Sequence, residues 1–69
     1  MKINSAIYSG TKTLIENFIP NAYLDAEILM AKAINKDKKY ILLNSHKIIS
    51  KEHFNIFQKL IKKRSGRKP

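Results

Sequence analysis

The chain has 69 residues, 14 basic and 5 acidic, with a formal charge of +9 and no cysteine. That length allows one small domain hiding about 60% of the surface its unfolded chain exposes, which leaves no room for a large catalytic cleft. Missing cysteines exclude a disulfide framework and thiolate metal sites and fit a reducing cytoplasm, while apolar runs such as Tyr40 to Leu43 fall far short of the ~20 residues of a membrane span, so a soluble protein is expected.

Ile3, Ile7, Gly10, Leu14 and Phe18 recur at the spacing of an amphipathic helix and predict a first helix over about residues 4–17, with Asn4 or Ser5 as its cap. Gly10 lies on the apolar seam. There it either lets another helix come close or is a tolerated weak point costing about 1 kcal/mol relative to alanine. Pro20 disfavours helical geometry at Ile19 and ends the segment, and Asn21 can cap the next helix.

From Asn21 to Ile34 (NAYLDAEILMAKAI) the pattern is apolar almost all round. At about 100° per residue, Tyr23, Leu24, Ala31 and Ile34 fall within roughly 60° of Glu27, while Asp25, Lys32 and Lys36 gather on the opposite side. Such a helix is expected at the centre of the domain. Glu27 is then a buried carboxylate in need of a partner, with Arg64 or the N–H groups at the Ser50 helix start as candidates.

Asn35 tolerates the left-handed conformation of a helix end, and Asp37 can cap the segment after it. Periodicity cannot decide between helix and strand for Tyr40 to Leu43, but no second strand exists to pair with it, so a helix of one to two turns is expected. Asn44 to Ile49 reads as a loop. Ser50 caps the last helix, Ile49 can pack on Phe54 across that cap, and Glu52 complements the helix dipole. Phe54, Phe57, Leu60 and Ile61 form the buried stripe, and Lys59, Lys62, Lys63 and Arg64 suit the C-terminus before Gly66. The expected fold is all-α, a small bundle of four to five helices in a single domain over residues 1–69.

Lys59 to Lys68 holds six basic residues and no acid, which leaves +3 on the first 58 residues, eight bases against five acids. Basicity invites a nucleic-acid reading, yet lysine supplies twelve of the fourteen bases in a chain also rich in isoleucine and asparagine, a bias that weakens the inference. The interleaved aromatic and basic residues of a single-strand binder are missing, and the second helix is too apolar to read base edges. Phe18, Phe54 and Phe57 lie on the helical stripes and are expected in the core.

No catalytic, cofactor or metal constellation emerges. Asp25 and Glu27 are two apart on a helix and point to different sides, so they cannot cooperate as acid and base. His46 and His53 lack neighbouring metal ligands and read as surface residues, and two glycines make no phosphate-cradling loop.

The block Leu24, Asp25, Ala26, Glu27, Ile28, Leu29, the short apolar segment Tyr40 to Leu43, a last helix ending in Lys63 and Arg64, and then Pro69 together resemble the N-terminal domain of the release-factor glutamine methyltransferases, the HemK or PrmC type. The resemblance covers essentially the whole chain. One departure is that the family's glycine two residues before the proline is here displaced by one, to Gly66.

The resemblance implies a helical domain that helps recognise class I peptide chain release factors. A further domain, beyond Pro69, would bind S-adenosylmethionine and methylate the glutamine of the Gly-Gly-Gln loop. The 69 residues alone are then expected to be inactive, with no catalytic or cofactor-binding residue of their own. Lys62, Lys63, Arg64 and Arg67 are the candidate contacts, facing either the release factor or the catalytic domain, in the cytoplasm and without a membrane partner. The alternative is a free-standing basic helical domain that binds nucleic acid.

Overall fold

The computed structural model describes residues 1–66; the expectations attached to Arg67 and Pro69 lie outside the described residues. Four helices succeed one another: α1 (Ile3–Glu16), α2 (Ala22–Ile34), α3 (Lys38–Leu43) and α4 (Lys51–Ser65). No strand forms among the described residues. A single antiparallel bridge, Lys2 to Ile48, fastens the start of the chain to the loop before α4.

As its apolar circumference predicts, α2 packs against each of the other three helices. Gly10 of α1 meets Phe57 and Ile61 of α4, while the N–H of Ile3 donates to the Lys47 carbonyl just before α4 begins. Helices α1 and α4 therefore run the same way, and α2 returns between them. One pole of the bundle carries the end of α1, the start of α2 and the end of α4. The core is filled by Ile3, Ile7 and Leu14 from α1, Met30 and Ile34 from α2, Ile41 from α3, and Phe57 and Ile61 from α4.

The seam expected on α1 is present, with Ile3, Ala6, Ile7, Gly10, Thr11 and Leu14 buried. Its N-terminus differs from the sequence expectation. The helix starts one residue earlier, Lys2 takes the cap position, and neither Asn4 nor Ser5 caps it. Backbone carbonyls of the distant 44–49 loop do so instead. Ile3 N–H donates to Lys47 O at 2.9 Å and Asn4 N–H to Ser45 O at 3.0 Å. A donor that tertiary structure satisfies has no need of a side-chain cap.

The end of α1 brings a second correction. Phe18, expected in the core, is 93% exposed and has a left-handed backbone, φ 60°. The N–H of Phe18 donates to Ile15 O and that of Ile19 to Leu14 O, so the chain closes the helix by a left-handed turn that packs Ile19, half-buried, against the core and turns Phe18 outward. The same pair of bonds closes α2, from Asn35 N–H to Lys32 O and from Lys36 N–H to Ala31 O, with Asn35 at φ 58° as expected. Asparagine suits that conformation. Phenylalanine does not, at a cost of about 1–2 kcal/mol.

Asn21 precedes α2 as expected but is itself left-handed, with no side-chain cap bond. The other two caps match. Asp37 accepts from Tyr40 N–H at 2.9 Å, and Ser50 from His53 N–H at 3.1 Å. Ile49 is buried and Phe54 and Leu60 half-buried against the same core as Phe57 and Ile61, so the stripe of α4 is as its spacing predicts.

Candidate functional site

Glu27 is buried as expected, only 6% exposed, but neither proposed partner reaches it. The α2 residues that turn inward are Ala22, Ala26, Met30, Ala33 and Ile34, so the buried face centres on Met30 and Glu27 lies at its edge. Tyr23 and Leu24, placed by the helical wheel beside Glu27, are exposed. From that edge the carboxylate looks toward α3, and Lys38 Nζ approaches Oε1 at 3.8 Å from a largely solvated position, 59% exposed. With Lys38 so open to water and 3.8 Å away, the pair contributes little to stability, and its effect is to spare the buried Glu27 isolation.

Tyr23, one turn before Glu27, registers that charge. Its hydroxyl is held above the ordinary tyrosine pKa, first by the Glu27 carboxylate, then by partial desolvation and by the pull of the same carboxylate on the phenolic proton. The folded value lies above the unfolded one, so the contribution is present below about pH 10 and is lost as pH rises through the folded pKa. Replacing Glu27→Gln is expected to move the Tyr23 titration back toward the ordinary value. Ultraviolet titration of tyrosinate in both proteins checks this, and an identical curve would place the Tyr23 hydroxyl away from Glu27. These two side chains line a cavity of about 180 Å³ with Asn4, Ile7, Ile41, Leu42 and Ser45.

Arg64 belongs to the neighbouring acid of the same block. Its Nε and Nη2 donate to Asp25 Oδ2 at 3.1 and 2.9 Å, tying the end of α4 to the first turn of α2. The helical wheel puts Asp25 on the outer, charged side of α2, and it is indeed off the core face. Arg64 reaches it around the edge of the helix, leaving both groups half-buried. Of the other basic candidates, Lys62 and Lys63 are exposed on the last turn of α4, and the structure brings them to the same pole as Arg64.

The opposite pole carries a second cavity of about 180 Å³, lined among others by Ile34, Lys36, Tyr40, Lys47 and His53. Lys36 and Lys47 each place Nζ over the Tyr40 ring, 5.3 and 5.9 Å from its centre. No sequence pattern singles out these two lysines, because residues eleven apart across a turn and a short helix carry no shared period. His46 is exposed and His53 half-buried. Among the described residues, no three His, Cys, Asp or Glu side chains gather to hold a metal ion, and no helix is long and apolar enough to cross a membrane.

Four helices in this order, a central α2 and an Asp25–Arg64 tie between α2 and α4 define the domain. A family model described as the PrmC N-terminal domain matches residues 5–69. The chain belongs to the PrmC N-terminal domain family. No curated protein and no solved structure matches it significantly. Membership connects the chain to release-factor methyltransferases, as the Leu24 to Leu29 block and the Lys63–Arg64 helix end imply. In this PrmC N-terminal domain the block serves the fold first: Ala26 and Glu27 are buried, and Asp25 holds α4 in place.

Proposed function

We propose that this PrmC N-terminal domain recognises class I peptide chain release factors in the cytoplasm. Glutamine methylation in the Gly-Gly-Gln loop is carried out by an S-adenosylmethionine-dependent domain of the same enzyme. The family match over residues 5–69 carries this reading. A separate contact surface adds affinity and orientation without touching the reacting atoms, the division of labour expected when a large protein substrate must present one side chain. Lys62 and Lys63, exposed and cationic, are the rim that would meet an acidic surface.

Titration of the 69-residue chain with a class I release factor, and separately with duplex and single-stranded nucleic acid, at two salt concentrations tests the reading. Saturable binding to release factor is the expected result. Binding to nucleic acid that falls by orders of magnitude as salt rises, with none to release factor, would instead mark a nucleic-acid-binding domain.

A further inference from the structure

We propose that Phe18 is an aromatic anchor that enters an apolar pocket on an acidic protein surface, with Lys62 and Lys63 as the basic rim of the same contact. The proposal rests on the recognition role above, and the surface is that of the release factor. Phe18 is the most exposed large apolar side chain among the described residues, and Ile15, whose carbonyl accepts its N–H, is exposed beside it. Solvent gives a phenylalanine no reason to be there.

Nor does the backbone, since Phe18 fills the left-handed position that closes α1, where glycine or asparagine is at ease and where the equivalent turn of α2 has Asn35. The turn itself is fixed by two backbone hydrogen bonds and by half-buried Ile19 packing on the core, so the ring is carried on a fixed backbone. A side chain that opposes both hydration and local geometry, directed outward from a fixed turn, is what a contact anchor requires.

Charge complementarity calls for an acidic occupant, which the recognition role above makes the release factor. The Arg64–Asp25 bond brings the end of α4 to the start of α2, hence to the pole where Phe18 projects. Arg64 is occupied there, while Lys62 and Lys63 are exposed and form no ion pair among the described residues. An apolar side chain at the pole that also carries exposed cations matches the anatomy of a protein interface whose other side has a hydrophobic pocket edged by carboxylates.

The test is methyl transfer to an intact release factor by the full-length protein, comparing wild type with Phe18→Gly and Phe18→Asn. Both replacements suit the left-handed turn, so the domain's melting temperature should rise, for glycine by about 4 °C or more. The KM for release factor should rise roughly tenfold with kcat held, the loss expected of an interface anchor. Lys62→Glu with Lys63→Glu should also raise KM and flatten its dependence on salt.

A raised melting temperature with unchanged KM would overturn the anchor while leaving the recognition role standing. A lowered melting temperature in both variants would overturn it too, because Phe18 would then be buried within the full-length protein. Wild-type protein that transfers no methyl group to release factor would remove the recognition role, and the anchor with it.

Discussion

Alanine at Gly10 is expected to lower the unfolding free energy by about 1–3 kcal/mol, although alanine is the better helix former by about 1 kcal/mol. A Cβ at this position would lie 2.6 Å from Phe57 Cζ and 2.9 Å from Ile61 Cδ1, inside contact distance. The Ile61 methyl can rotate away. The Phe57 ring cannot, because it is fully buried and among the largest side chains of the core. Of the two sequence readings of Gly10, close helix approach is therefore the one the packing supports.

Denaturant unfolding measures the loss, and a double-mutant cycle assigns it. In a Phe57→Leu background, where the ring tip is gone, Gly10→Ala should cost distinctly less. Equal losses in the two backgrounds would mean that Phe57 is not what excludes the methyl group. A gain in stability would mean that helix propensity outweighs the contact.

Ile41→Ala should cost about 2–5 kcal/mol, the range for truncating a fully buried aliphatic side chain. Helix α3 has six residues, and Ile41 is the only one of them buried. The helix packs mainly on α2. So short an element holds its conformation through that contact and the Asp37 cap rather than by helix propensity. Amide exchange should therefore rise first across 38–48, and the carbonyls of Ser45 and Lys47 that cap α1 should loosen with it. Protection in 38–48 equal to wild type would show that α3 is held some other way. Given a domain this small, a loss at the upper end of the range would abolish most of its stability.

Legible and hidden features of the sequence divide along a physical line. Local signals are legible: the seam of α1, the stripe of α4, the Asp37 and Ser50 caps and the left-handed Asn35 each depend on a few neighbouring residues. Periodicity cannot separate helix from strand for Tyr40 to Leu43, and the want of a pairing partner decides it correctly.

Long-range partners stay hidden. The caps of α1 come from carbonyls more than forty residues away, which no local rule anticipates. Sequence reasoning offers Arg64 a carboxylate two residues from its true partner, because a wheel locates a face but not the reach of a guanidinium around it. The wheel also centres Glu27 on the buried face, since counting apolar residues ignores which of them face solvent, and Tyr23, Leu24 and Ile28 do. Phe18 continues the α1 period by number alone; the helix ends at Glu16, so the period no longer describes it. The candidate contact surface is legible only as a charge cluster, because its apolar part comes from the far end of another helix.

The most direct test of the recognition role compares methyl transfer by the full-length enzyme with transfer by the same enzyme lacking this domain, using an intact release factor and a short Gly-Gly-Gln peptide as alternative substrates. If the domain supplies substrate binding, its removal should raise KM for the intact factor by at least roughly tenfold and leave transfer to the peptide nearly unchanged. Equal losses on both substrates, or none on the intact factor, would contradict it.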